Sequence, residues 1–289
     1  MEMEESLKPL SMESREHKGA LPTKAIKVKT VNRETIIIQL TMLVLVAATI
    51  YGFLTFDYKD VVIGEAILKS LESMKTVLLE PHLQHVGFGE AIYQVFVTMG
   101  LGFLTTLFGA VIALFLGLLA ARNLSTQLAS TLIRGVVAFI RAVPTVLWVL
   151  IFSVAAGLGS VAAVIGMTFH SVGYLIKAYS EAFEELDKGV IEALRASGAN
   201  WWQIVFQAVL PSCATYLISW TFLRFEINFS VAVAMGAAAG AGGIGYDMFM
   251  ASGFYYDMRE VGAITYFILA IAILLEMFAL RIKRNMKTH

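Results

Sequence analysis

The chain has 289 residues, of which 58% are hydrophobic and only 15% charged, with a mean hydropathy of +0.73. Soluble domains carry about 45–50% apolar and about 25% charged residues, so this excess points to a chain whose solvent is partly lipid. The 22 basic and 22 acidic residues cancel and suggest no nucleic-acid partner, while the single cysteine excludes an intrachain disulfide and a Cys-x-x-Cys or Cys/His zinc pattern.

Residues 1–33 are polar and charge-rich and read as a cytoplasmic tail. The first apolar run starts near Ile36, too late and too long for a signal-peptide core. From Ile36 to Phe56 no acidic or basic side chain occurs, which is enough helix to cross a hydrocarbon core of about 30 Å. Residues 34–90 form this first span and an outer segment. In the latter, Ile63, Ile67, Leu71, Met74 and Leu78 recur at helical spacing and predict an amphipathic helix on the outer face or over the bundle. His82 and His85 follow, without a third ligand near them in sequence, and read as a solvated face with no metal.

Residues 91–282 form a core with five further spans, at 91–121, 130–156, 159–180, 213–237 and 260–281, and 283–289 a basic cytoplasmic tail. The fold class is therefore all-α, a polytopic bundle of about six membrane helices. Gly100, Gly102, Gly109 and Gly117 along the second span would let helices approach closely. Sixteen of the 22 basic residues fall in the terminal tails, the even-numbered loops and the span ends beside them, which places both termini and the 181–212 loop in the cytoplasm.

That loop has helical composition to Ser197, a break at Gly198-Ala199, and a second helical stretch with Trp201, Trp202, Ile204 and Phe206 that stops at Pro211. It predicts a bent helix pair on the inner face, with Trp201, Ile204 and Phe206 awaiting a partner's cover. Within the spans, Arg141 precedes Pro144, and Arg224, Glu226 and Asn228 crowd the fifth. A charge at that depth costs about 2.5–3.5 kcal/mol even on insertion scales, which calls for a partner or a watery path. Arg224 and Asn228 share a helical face and Glu226 points elsewhere, so both a translocation path and a polar clasp between helices fit. The run Gly240-Ala-Gly242-Gly243-Ile-Gly245 has the letters of a dinucleotide loop but no preceding strand, and reads as a closely packed hinge or gate.

The string Glu192-Ala193-Leu194, Gly198, Leu210-Pro211 resembles the coupling loop of ABC-importer permease subunits, with Leu194 replacing an alanine and Ala208 at a branched position. Arg141 with Pro144, Glu226 with Asn228, the 240–245 run, and Ala-Arg-Asn at 121–123 look like phosphonate-type members of that group, over roughly 91–282. Ser230 stands where relatives often carry arginine, and three residues rather than two separate Gly236 from Gly240. The resemblance implies a type I importer permease fold and no catalysis in this chain. Two copies would work with two ATPase subunits and an extracytoplasmic binding protein, by alternating access.

It assigns Glu192, Ala193, Gly198, Ala199, Leu210 and Pro211 to ATPase coupling, and Arg141, Pro144, Arg224, Glu226, Asn228 and Ser230 to the path. Gly240, Gly242, Gly243 and Gly245 become the gate. The chain lacks G-x-x-x-x-G-K-[ST], so ATP and Mg are expected in the partner ATPase. The cargo implied is phosphonate, phosphite or phosphate. An importer of the same build for an amino acid, betaine or sulfonate remains the first alternative, and a stand-alone ion-coupled transporter the second.

Overall fold

The computed structural model describes residues 33–56 and 62–286; the polar tail at 1–32 and the last three residues lie outside that range. All regular structure among the described residues is helical. The chain divides into two units, Met1–Val62 and Ile63–His289. The first unit holds α1 (Arg33–Thr55), which is apolar all round and has no buried residue, as expected of a helix solvated by lipid. Thr41, Thr49 and Thr55 return their hydroxyls to carbonyls one turn back, so the helix shows little polarity to its surroundings.

The second unit begins with α2 (Ile63–Leu79), where the amphipathic helix was predicted. One side of it packs over the bundle, one of the two placements predicted. Val77 lies against Gly262 and Tyr266 donates to the Leu78 carbonyl at 2.6 Å, while Ile63, Ile67, Leu71, Met74 and Leu78 stay exposed. The stripe faces outward because the contact with the bundle runs through α2's backbone and small side chains.

The core follows as α3 (Phe88–Ala120), α4 (Gln127–Ala142), α5 (Thr145–Ala156) and α6 (Ser160–Glu184). Then come α7 (Lys188–Ala196), α8 (Trp201–Ile204), α9 (Leu210–Ala239), α10 (Ile244–Gly253) and α11 (Met258–Met286). Helix α11 carries on through 283–286, so most of the predicted terminal tail is helical. Gly109 of α3 meets Ser171 of α6, and Gly117 meets Tyr179, so register rises on both helices together and they run parallel. Gly102 meets the Phe229 backbone of α9, while Gly100 packs against nothing. Since α3 and α6 are parallel, the intervening chain must return across the bundle. Helices α4 and α5 do this as a pair bent by 92°.

The sequence predicts one span at 130–156 in which Pro144 can kink the helix; the structure breaks it outright at Val143-Pro144, into two helices at 92°. Proline at 144 has no N–H for the Ile140 carbonyl and holds Val143 extended (φ −90°, ψ 124°). The Trp148 indole supplies the missing donor to Ile140 at 3.1 Å. Gly166 lets α6 press on α5 so closely that a Cβ there would lie 2.5 Å from the Val149 backbone. The elbow is thus a built joint.

The sequence expects Pro211 both to stop the loop's helix and to fit the first turn of the span that follows; the structure keeps the second and not the first. It does not stop the helix: Trp201–Ala239 forms one continuous 39-residue helix. A π-helical turn at Val205–Val209, with the Leu210 N–H bonding to the Val205 carbonyl five residues back, shifts the register just before the proline. Pro211 then occupies the first turn of α9, where its lost N–H costs little.

Candidate functional site

One end of the bundle carries α7 and α8. Asp187 caps α7 through the Gly189 N–H, and Asn200 and Gln203 form a reciprocal capping box at α8. Between them Gly198 takes φ +86°, and the Ala199 N–H bonds to Leu194, so the bend read from the sequence sits where expected. Glu192, Ala193, Gly198 and Pro211 are exposed, while Ala199 and Leu210 are half-buried. The aromatic cover differs. Ile204 is buried and Trp201 donates its indole N–H to Leu124, so both are used inside the chain. The uncovered aromatics are Trp202 and Phe206, stacked with centroids 6.0 Å apart.

In the middle of the bundle the predicted path residues separate into two sets. Arg224 is 3% exposed and Asn228 0%. The Arg224 Nε donates to Ser171 Oγ at 3.1 Å, Ser171 donates to Asn228 Oδ1 at 3.1 Å, and Asn228 Nδ2 donates to Thr106 Oγ1 at 2.8 Å. The guanidinium also stands 5.0 Å from the Tyr174 ring. These groups lie between α3, α6 and α9 and knit them together, which is the geometry of a clasp.

Glu226 and Ser230 occupy the other side of α9. With Thr145, Ile227, Ala234 and Met235 they line a groove of about 450 Å³. Pro144 positions Thr145 at that groove, whereas Arg141 is exposed at the end of α4 beside Gly173. His170, which was not singled out from the sequence, lies within electrostatic reach of Arg141 and Arg224, with its ring at the Val143 carbonyl freed by the elbow. Ser171, Thr106 and His170 were visible as polar residues inside apolar runs. Their mutual contacts were not.

At the opposite end, Gly240 caps α9 in the left-handed region (φ 60°), and Gly242 and Gly243 also take positive φ. Thr98 of α3 stands against Gly243, its Oγ1 accepting the Ile244 N–H at 3.0 Å and donating to the Gln94 carbonyl at 3.0 Å. Gly245 packs directly on Val233. The run is therefore a tight turn whose Ile244 amide is occupied.

Beside it, His85 is exposed, as the solvated-face reading expects, but it is engaged by its neighbours. Its Nδ1 lies 2.7 Å from Glu260, its ring stacks on Tyr255 at 4.0 Å, and Glu260 also accepts the N–H groups of Gln84, His85 and Val86. His85, Asp257 and Glu260 bring ligand atoms within 4.8 Å of one another, a spacing a cation could use. Glu260 already has both oxygens engaged, so it fastens the segment at 84–86 to the first turn of α11. Asp247, on α10 outside the spanning helices, has a buried Oδ2 without a hydrogen bond, and burial with Glu90 and Glu260 nearby pushes its carboxyl up to about 6.

Comparison with known proteins adds an independent line. A family described as binding-protein-dependent transport system inner membrane component matches residues 113–287. The phosphite transport system permease protein PtxC of Stutzerimonas stutzeri is 32% identical over 202 residues, covering 70% of this chain and 73% of that one. The phosphate-import permease protein PhnE of Mycolicibacterium smegmatis is 35% identical over 153 residues, 53% of this chain but 29% of that longer relative. Among solved structures, an inward-facing MetNI methionine ABC transporter chain matches with a TM-score of 0.60 and 25% identity, over 68% of this chain and 95% of that one.

Proposed function

The chain belongs to the inner membrane components of binding-protein-dependent transport systems, and from that premise we propose that it is the membrane subunit of an ATP-driven importer for a small phosphorus oxyanion. Two copies form the pathway, two ATPase subunits dock on α7–α8, and a binding protein delivers cargo at the opposite end. Both termini face the cytoplasm, the side that collects most of the Lys and Arg. ATP and Mg act in the partner ATPase.

The observation that carries this reading is the α7–α8 pair. It is a rigidly capped, bent surface with Glu192 and the Trp202–Phe206 pair exposed, set at the end where α3 and α6 both finish. A surface of this kind suits docking into a partner's cleft. Within the membrane, Glu226, Ser230 and Thr145 line the path, Gly240, Gly242, Gly243 and Gly245 form its hinge, and Arg141 compensates charge at its edge. Arg224 and Asn228 hold the helices that frame it.

The oxyanion assignment is supported by the 32% identity to a phosphite permease across 70% of the chain. The test is reconstitution of this chain with its partner ATPase and binding protein. ATP-dependent uptake of phosphite or methylphosphonate by the proteoliposomes is expected. Uptake of methionine instead would move the substrate to the alternative class, and uptake without the ATPase would sink the importer reading.

A further inference from the structure

The Ala121-Arg122-Asn123 sequence has no part in the reading above, yet the loop it opens, residues 121–126, is the most heavily bonded junction at the α7–α8 end. From α7, Arg195 Nη2 donates to the Asn123 carbonyl at 3.2 Å. From α8, Trp201 Nε1 donates to the Leu124 carbonyl at 2.8 Å. Towards α6, Asn123 Nδ2 donates to the Phe183 carbonyl at 2.7 Å and the Arg122 N–H to Glu184 Oε1 at 2.7 Å. The same Glu184 oxygen accepts Arg134 Nη2 of α4 at 2.6 Å, and Arg134 Nε returns to the Ala120 carbonyl at 3.0 Å.

The loop is also the direct lead into α4, with Thr126 as its N-cap. Helix α4 in turn runs to the elbow at Pro144, where Thr145 enters the groove that Glu226 and Ser230 share. A continuous chain of short, directed bonds therefore joins the coupling helices to the elbow. Two of its bonds, to Glu184, involve a carboxylate and are of the stronger, charge-assisted kind.

We propose that the 121–126 loop is the joint through which displacement of α7–α8 reaches α4 and its elbow, with Glu184 and Trp201 as its positioning residues. Six residues pinned at both ends cannot absorb a shift of α7–α8 by bending, so the shift passes to the first turn of α4. A static brace would need the Glu184–Arg134 pair alone. It would not need separate bonds from α7 and α8 to adjacent carbonyls of the same loop. The inference rests on the importer reading, and its test separates the two.

The assembled transporter, with its ATPase and binding protein, is placed in proteoliposomes, and phosphite uptake and ATP hydrolysis are measured together. Glu184→Gln keeps the shape of the side chain and removes its charge; Trp201→Phe keeps the ring and removes the indole N–H. Phosphite imported per ATP hydrolysed is expected to fall at least about tenfold in Glu184→Gln, the change expected from weakening charge-assisted bonds. It should fall in the same direction in Trp201→Phe, and Glu184→Asp should restore part of it.

An unchanged ratio in both variants, whether or not the amount of assembled complex drops, overturns the proposal in favour of a brace. Should Glu184→Gln fail to assemble, Trp201→Phe, which leaves the ion pair intact, decides alone. If the unaltered transporter takes up phosphite with ATP while the variants keep its ratio, only the joint is refuted. If the unaltered transporter shows no ATP-driven uptake, the importer reading itself fails.

Discussion

Asn228 uses both ends of its amide, accepting from Ser171 and donating to Thr106 at 0% exposure. A buried amide with two partners is worth more by its absence than by its presence, because truncation strands the groups that faced it. Asn228→Ala is therefore expected to lower stability by about 1–2 kcal/mol, the modest end reflecting how membrane-embedded partners find substitutes; thermal unfolding in detergent reads this. Asp247 presents the opposite case, a carboxyl whose environment disfavours its charge. Its folded pKa of about 6 lies above the ordinary carboxylate value, so the folded state binds the extra proton. Its contribution to stability is present at low pH and lost as pH rises through about 6. Asp247→Asn should raise the melting temperature at neutral pH and flatten that part of the pH–stability profile.

Two joints matter among the elements. At α7–α8 the bend depends on Gly198 at φ +86°, where any side chain is strained. Gly198→Trp should leave insertion intact and uncouple ATP hydrolysis from uptake, read as unchanged or raised hydrolysis with lost transport. Normal uptake in that variant would remove the coupling role. At the α4–α5 elbow, Trp148 fills the acceptor that Pro144 leaves empty at Ile140. Trp148→Phe keeps most of the ring packing with Phe169 and Phe152 but strands that carbonyl. A loss of about 1–2 kcal/mol in unfolding stability is expected.

Both joints were half legible in the sequence. Gly198 announced its bend because glycine at a helix end has a local cause. Pro144 announced a kink, but nothing local told a mild kink from a 92° elbow, since the partners that hold it, Trp148, His170 and Gly166, lie on other turns or another helix. Pro211 was legible as a first-turn proline of the following span, but the helix runs on through it because a π-turn upstream shifts the register.

Across the whole molecule, the parallel register of α3 and α6 obliges α4–α5 to recross the bundle, and it turns one side of α9 into an internal clasp while the other side lines a groove. The two sides should respond differently to substitution. Glu226→Gln is expected to alter uptake with assembly and melting temperature held, whereas Asn228→Ala should lower the melting temperature first. If Glu226→Gln leaves uptake at the level of the unaltered chain, the groove is not the path.

The apolar excess, the helical periods and the placement of Lys and Arg determined by themselves that this chain is a polytopic helix bundle. The bend at Gly198 in the 181–212 loop was legible for the same reason: these properties depend on near neighbours and on the solvent. Which of the membrane-embedded polar residues face one another was decided only by tertiary structure. Arg224, Glu226 and Asn228 sit within five residues, and helical spacing separates their faces without saying what each face meets. The approach of Ser171 and Thr106 from two other helices made Arg224 and Asn228 a clasp, and the elbow at Pro144 brought Thr145 to the groove lined by Glu226.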